Sequence, residues 1–135
     1  MKVMKHRVRY NEVDAQGIVF NAHYLTWCDN ASYEFFRKKG WSPHELASKD
    51  FDFVVRSANI DYREPAYLDD LLDIDLYVKK IGVTSYHVVF NIMRNETILA
   101  VVEMTHINIK DKQSYPIPEE IKSYLNESLF GTCYS

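Results

Sequence analysis

The sequence predicts an α+β fold: a curved antiparallel sheet of about five strands wrapped around one long central helix, with a short C-terminal helix added. Three features of the pattern carry this. Tyr24, Trp27, Cys28, Ala31, Phe35 and Phe36 recur at helical spacing between Asn21 and Gly40. From Phe53 onward, strand-like alternation runs almost without interruption to Ile109. No internal repeat, low-complexity tract or Pro/Gly/Ser linker divides the chain, so residues 1–135 read as a single domain.

Taken in order, Val8 and Tyr10 alternate with Arg7 and Arg9, which predicts a first strand with one polar face. The long helix follows, with Asn21 as a candidate N-cap residue and Gly40 as its C′ stop. Leu25 and Tyr33 widen its apolar surface beyond one stripe, so it should be wrapped by other structure. Ser42-Pro43-His44-Glu45 has the form of a capping box with proline at the first helical position, opening a short helix to about Lys49. The next strand, Phe53 to Tyr62, is expected to place Val54, Ala58, Ile60 and Tyr62 on one face. Leu72, Ile74, Leu76 and Val78 then alternate with Asp73, Asp75, Tyr77 and Lys79. Tyr86, Val88, Phe90 and Ile92 repeat the pattern, and Ile98 to Ile109 forms the last long strand. Gly82 marks one turn and Asn95-Glu96 a tight hairpin. Pro118 opens the terminal helix, with Ile121, Tyr124, Leu125 and Leu129 on one side. The outer face of the sheet, mixed polar and aromatic, is left for a partner subunit.

Composition excludes several classes. An apolar content of 47% with 14% aromatic residues is too hydrophobic for a disordered chain. A net charge of −3 argues against non-specific binding to a nucleic-acid backbone, which needs a basic face. No apolar run is long enough to cross a bilayer, and Met1-Lys-Val-Met-Lys-His-Arg lacks the apolar centre of a signal peptide. Cys28 and Cys133 make no disulfide framework, so a reduced, cytoplasmic protein is expected. His6, His23, His44, His87 and His106 show no metal-ligand spacing, and neither a Gly-x-Ser-x-Gly elbow nor a phosphate-cradling glycine loop is present. Metal: none; cofactor: none.

The chemistry concentrates between Arg7 and Trp27. Asp14 follows the first strand in a loop where Gly17 permits tight curvature or close ligand approach. If the helix starts at Asn21, the amides around Asn21 to His23 are partly unsatisfied and attract negative charge. A carbonyl oxygen placed against them would be stabilised as it gains charge, and Asp14 can reach that carbonyl if the loop folds back at Gly17. The alternative reading of Asp14 is a turn former or cap. Phe20 borders the carbonyl position; Tyr24 and Trp27 have core as their alternative. His23 either tunes Asp14 or touches substrate, the alternative being an ordinary first-turn histidine. Asp29 and Glu34 are expected to pair with Arg7, Arg9 or Arg37; a buried Asp29 would instead anchor the loop, and it is assigned no catalytic role.

Asp14-Ala-Gln-Gly-Ile-Val-Phe-Asn-Ala-His-Tyr-Leu-Thr-Trp resembles the signature of the hotdog-fold 4-hydroxybenzoyl-CoA thioesterase family. The likeness continues through Ala31, Phe36 and Gly40, Ile60-Asp-Tyr-Arg-Glu-Pro65-Ala with Asp70, Gly82-Val-Thr-Ser85 and Thr105-His-Ile-Asn. The resemblance implies hydrolysis of an acyl-CoA thioester, or of an acyl group on acyl carrier protein, without a metal or redox cofactor. It implies Asp14 as nucleophile or general base and the backbone amide at Asn21 as the donor to the thioester oxygen, with Gly17, Phe20, His23 and Tyr24 around the substrate. It also implies a homodimer or homotetramer whose sheets join edge to edge, with active sites at the subunit interface. Two departures stand out. Many bacterial relatives carry histidine at the position of Asn21 and asparagine at that of His23, exchanged here. The basic run that holds the CoA nucleotide in one branch is Gly82-Val83-Thr84 in this chain, leaving Lys79 and Lys80 as candidates.

Two rivals have different signatures. An enoyl-CoA hydratase or dehydratase needs histidine close after aspartate in an Asn-Pro motif, and His23 lies well beyond Asp14 with no such motif present. A non-catalytic acyl-CoA-binding protein of the same fold would bind ligand without releasing thiol.

Overall fold

The structure is a computed structural model that describes residues 1–129. Cys133 lies outside the described residues. The elements are β1 (Lys2–Arg7), a 3₁₀ turn (Tyr10–Glu12), α1 (Ala22–Arg37), α2 (Pro43–Ser48), β2 (Phe53–Tyr62), β3 (Leu71–Ile81), β4 (Ser85–Arg94), β5 (Thr97–Lys110), β6 (Gln113–Ser114) and α3 (Glu119–Glu127). The sheet is antiparallel in the order β1-β3-β4-β5-β2, and the two-residue β6 pairs only with β5. This is the sheet-around-helix arrangement that the resemblance implies.

The core lies between α1 and the inner face of the sheet. Tyr24, Trp27, Cys28, Ala31, Ser32, Phe35 and Phe36 are the buried residues of α1. They join one cluster with Leu72, Ile74, Leu76 and Val78 of β3, Phe90 and Ile92 of β4, and Val102 and Met104 of β5. Alternation in β3 and β4 thus corresponds to one buried face, as the sequence predicts. Ile121, Tyr124 and Leu125 of α3 complete the cluster, and the Tyr124 hydroxyl donates to the Phe35 carbonyl at 2.6 Å. The α1 stop behaves as expected: Gly40 has φ +88, its amide donates to Arg37 O at 2.8 Å, and the Trp41 amide donates to Phe36 O at 3.3 Å. The capping box of α2 is also present, with Ser42 accepting from the Glu45 amide.

Four expectations are corrected. The first strand ends at Arg7 rather than including Tyr10, because Val8 exchanges backbone hydrogen bonds with Asp69 and Asp70 in the loop before β3, and Tyr10 opens an exposed turn. In β2 a bulge between Val55 and Ser57 switches the inward parity. Ile60 therefore faces the buried Val102, while Val54 opposes Ile107 on the other face and is 42% exposed. Helix α1 is wrapped on one side only; Ala22, Leu25, Thr26, Asp29 and Asn30 are exposed. Glu34 does pair with Arg37, at 3.4 Å, whereas Asp29 sits on the open face, where partial desolvation raises its carboxyl.

Two polar residues inside the core are tied down by the Thr105-His-Ile-Asn segment. Asn108 donates to the carbonyls of Asp50 and Pro116 and accepts from the Asp52 amide at 2.8 Å, fixing the entry to β2. His106 is fully buried, stacks on Phe53 with ring centroids 4.6 Å apart, and shares a 2.8 Å hydrogen bond between Nδ1 and the Tyr86 hydroxyl. Burial pushes its imidazole down from 6.5 to about 4. The folded value lies below the unfolded one, so the unfolded chain takes up the proton first. Stability is unaffected by this group above pH 6.5 and falls as pH drops toward 4, by about 3 kcal/mol in total. Urea unfolding across that range should show His106→Leu with a slope of stability against pH shallower than wild type by about one proton.

Candidate active site

Asp14 is carried on a tight hairpin whose two arms meet at an isolated bridge between Val13 and Val19. The Asp14 amide donates to Ile18 O at 2.9 Å, and the Gly17 amide donates back to Asp14 O at 3.0 Å. Closing the turn this way puts Gly17 at φ +77, a conformation that favours glycine. The exposed Asp14 carboxylate completes the turn through one oxygen: Oδ1 accepts the amides of Gln16 and Ile18, at 2.8 and 3.2 Å. Among the described residues, Oδ2 has no hydrogen-bond partner. The turn-forming reading of Asp14 is therefore correct for one oxygen and leaves the other unengaged.

The hairpin is stitched to the segment before β3. Ile18 bridges Tyr67, the Val19 amide donates to Ala66 O at 2.9 Å, and the Leu68 amide donates to Gly17 O at 3.1 Å. That segment is held in turn by Asp70, whose Oδ2 accepts the Tyr67 amide at 2.9 Å and the Arg94 guanidinium at 2.8 Å. Below the hairpin, Glu12 takes N–H donors from His6, Arg9 and Trp27.

Asn21 does not act as the expected N-cap. It already has helical torsions, φ −53 and ψ −35, and its side chain makes no capping hydrogen bond. A capping side chain needs an extended backbone to reach the first-turn amides. The consequence is a bare helix start. The His23 amide donates to Phe20 O at 3.1 Å and the Tyr24 amide to Asn21 O at 3.4 Å, whereas the amides of Asn21 and Ala22, both exposed residues, have no acceptor among the described residues. Two adjacent N–H groups at the positive end of α1 thus remain available to an anionic or polarisable oxygen.

Asn21 lines a cleft of about 280 Å³ with Ile18, Val19, Tyr24, Tyr62, Arg63, Glu64 and Pro65. The rings of Tyr24 and Tyr62 meet edge to face at 5.2 Å, and the Tyr62 hydroxyl donates to Asn21 O at 3.4 Å. Burial pushes the phenols of Tyr24 and Tyr62 above their usual value, so both act as neutral hydroxyls. Of the residues singled out in the sequence, Asn21 and Tyr24 are in the cleft wall. Phe20, before α1, and His23, on its first turn, are not among the residues lining the cleft; their ring centroids are 6.3 Å apart, and Phe20 is 59% exposed. Asp14 and Gly17 shape the hairpin and do not line the cleft in the single chain. A larger groove of about 690 Å³ between β1 and α1 contains neither Asp14 nor Asn21, so chemistry and not size selects the site.

Lys79 and Lys80 lie elsewhere, at a bulge in β3. Lys79 is engaged by Glu103 at 3.0 Å, while Lys80 lines a separate cleft with Gly82, Ser85, His87 and Thr105. Among the described residues, no three His, Cys, Asp or Glu side chains converge as a metal site, and no helix is long and apolar enough to cross a membrane. The sequence assigns no site role to Tyr62, Arg63 or Glu12, although Tyr62 and Arg63 fall in the Ile60–Ala66 stretch of the resemblance. Tyr62 was hidden by its alternation in β2, and Glu12 had as its signal only an acidic residue two positions before Asp14.

The model of the Thioesterase-like superfamily matches residues 8–125. The chain belongs to that superfamily. Over 120 residues it is 30% identical to the acyl-CoA thioesterase YbgC of Haemophilus influenzae, covering 87% of this chain and 88% of that one. It is 24% identical to the 1,4-dihydroxy-2-naphthoyl-CoA hydrolase of Prochlorococcus marinus, over 93% of this chain and 90% of the relative. A hypothetical protein of Thermus thermophilus matches in structure with a TM-score of 0.87 at 21% identity, over 95% of this chain and 99% of the other. At that identity the likeness shows the fold, the hotdog arrangement of this thioesterase-like chain.

An added Cβ at Gly17 meets nothing within 4 Å, so replacing it tests backbone strain alone. Gly17→Ala should lower stability by about 1–2 kcal/mol in urea unfolding, and Gly17→Asn by less, because asparagine tolerates the left-handed region.

Proposed function

We propose that this protein hydrolyses an acyl-CoA thioester to the free acid and CoA. The observation that carries the reading is the pair of free amides at Asn21 and Ala22, at the end of the hairpin that carries Asp14, in a chain of the Thioesterase-like superfamily. The relative from Haemophilus influenzae, an acyl-CoA thioesterase, supports the same substrate class.

In this reading the thioester carbonyl oxygen accepts from the Asn21 amide and gains negative charge there as the tetrahedral intermediate forms. One such donor contributes about 3–4 kcal/mol to the transition state. Asp14 supplies the attack through Oδ2, either directly on the carbonyl carbon or by taking a proton from the attacking water. Oδ1 stays bound to the Gln16 and Ile18 amides and keeps the carboxylate oriented. The carbon–sulfur bond then breaks and CoA leaves as a thiolate, a good leaving group, so no metal or redox cofactor is invoked; where Asp14 attacks directly, water then cleaves the acyl–Asp14 anhydride to the free acid and restores the carboxylate. Tyr24, Tyr62 and Phe20 supply the apolar walls for the acyl group, with Gly17 and His23 beside it. Of the two lysines, Lys80 is the better placed for a nucleotide phosphate, since Lys79 is occupied by Glu103.

The protein acts as a homodimer or homotetramer in the cytoplasm. The free edge of β2 supports the edge-to-edge dimer: nearly the whole strand is exposed, including Val54, Val55 and Tyr62. Tyr62 belongs both to that edge and to the cleft, so a neighbour docked there would border the active site.

Two measurements test this. Asparagine keeps an acceptor oxygen for the Gln16 and Ile18 amides, so Asp14→Asn should retain fold and oligomer while losing at least about 100-fold in thiol release over a panel of acyl-CoA esters. Equal turnover by variant and wild type overturns the assignment. In sedimentation, Val54→Lys combined with Val55→Lys should shift the oligomer toward monomer; an unchanged distribution rules out β2 as the joining edge.

A further inference from the structure

Glu12 is the most heavily engaged carboxylate around the hairpin, and nothing in the reaction scheme uses it directly. Its Oε1 lies 2.8 Å from His6 Nε2 and accepts the Arg9 amide at 2.8 Å. Its Oε2 accepts the Trp27 indole N–H at 2.7 Å and lies 3.1 Å from the same His6 nitrogen. A carboxylate can only accept, so His6 Nε2 carries the hydrogen. Burial alone would raise the Glu12 carboxyl; the donors from His6, Arg9 and Trp27 outweigh it and hold it below the usual value. The side chains of Glu12 and His6 are only 12% and 16% exposed, and the His6 ring packs 4.7 Å from the Trp27 ring.

These bonds reach both functional ends of the hairpin. Glu12 stands two residues before Asp14, and its carbonyl accepts the Phe20 amide at 2.9 Å, one residue before Asn21. Its side chain meanwhile grips β1 through His6 and the buried face of α1 through Trp27. The distance between the Asp14 carboxylate and the Asn21 amide is thus set across a single residue anchored to both sheet and helix. Resting on the thioesterase reading above, we propose that Glu12 is a positioning residue for the hydrolysis, holding Asp14 and the Asn21 amide in register through His6 and Trp27. Such a residue acts on the rate of the chemical step and not on substrate capture, since a displacement of about 1 Å at reacting groups can cost 100-fold.

The test compares wild type, Asp14→Asn, Glu12→Gln, His6→Gln and a distant destabilised control, Leu125→Ala in the fully buried face of α3. Glutamine at position 12 keeps an acceptor for Trp27 but loses the charge facing His6. Glu12→Gln should lower kcat about 10- to 100-fold with KM changed less than about twofold. His6→Gln should act in the same direction, and the double variant should be no worse than Glu12→Gln alone, as expected for one unit. Leu125→Ala should lose melting temperature without losing kcat at a temperature where it remains folded. Wild-type kcat in Glu12→Gln or, if that variant does not fold, in His6→Gln, with Asp14→Asn inactive, overturns this inference alone. A kcat loss in Leu125→Ala matching that of Glu12→Gln assigns Glu12 a merely structural role and also overturns it. Full activity in Asp14→Asn overturns the parent reading and this inference together.

Discussion

Burial of one face of α1 against the inner side of the sheet is the contact from which the rest of the molecule hangs. Trp27, Phe35 and Phe36 are each nearly inaccessible, as are the facing Leu72, Ile74, Leu76, Phe90 and Ile92. Burying side chains of this size stabilises by about 1.5–3 kcal/mol apiece, enough in sum to hold the helix rigidly. A helix so used has little reactive chemistry to offer from its buried face. What it can offer is its first turn, where backbone amides emerge without internal acceptors, and the loop that leads into it. The candidate site falls there for that reason.

The polar half of the arrangement uses carboxylates as backbone clamps. Glu12 accepts the Arg9 amide, Asp14 the amides of Gln16 and Ile18, and Asp70 the amide of Tyr67. Each closes a turn that the neighbouring strand or helix cannot close by its own ladder. Glu12 and Asp70 are also tied to side chains, His6 and Trp27 in one case and Arg94 in the other. Asp14 and Asp70 each clamp through one oxygen only, and Asp14 differs in accepting backbone amides alone, with no side-chain donor on it among the described residues.

Much of the fold was readable because its signals are local and periodic. The alternation in β3 and β4, the helical spacing in α1, the Ser42 capping box and the Gly40 stop all appear where the pattern puts them. The failures have a common cause. The bulge in β2 and the end of β1 at Arg7 are set by partners distant in sequence, Thr105 and His106 in one case and Asp69 and Asp70 in the other. Neither is visible to a period-of-two argument. The turn at Asp14 and Gly17 and the helix start next to Asn21 were readable from residue type and spacing, and their proposed role in hydrolysis rests on the family resemblance. The cleft position of Tyr62 and the Glu12 network were not, because they come from contacts between different elements: Tyr62 reaches Asn21 across 41 positions, and Glu12 joins β1 to α1 through His6 and Trp27.

The exchange of Asn21 and His23 takes on a definite meaning in this geometry. Had Asn21 capped α1, the side chain there would serve the helix, and any good capping residue would do equally well. It caps nothing: its backbone is already helical and its side chain makes no bond to the first turn. The residue belongs instead to the cleft wall, next to the edge-to-face pair of Tyr24 and Tyr62. His23, two residues on, is half-buried, packs against Phe20 and is not among the residues lining the cleft. Moving an imidazole from position 21 to position 23 therefore leaves the helix start unchanged and takes an ionisable ring out of the cleft wall, putting a small neutral amide in its place. The helix N–H groups do not depend on which side chain stands at 21, so in the proposed mechanism carbonyl polarisation is preserved while the shape and polarity of the surrounding wall change. On the proposed thioesterase reading, the exchange therefore bears on what the cleft admits rather than on how the carbonyl is activated.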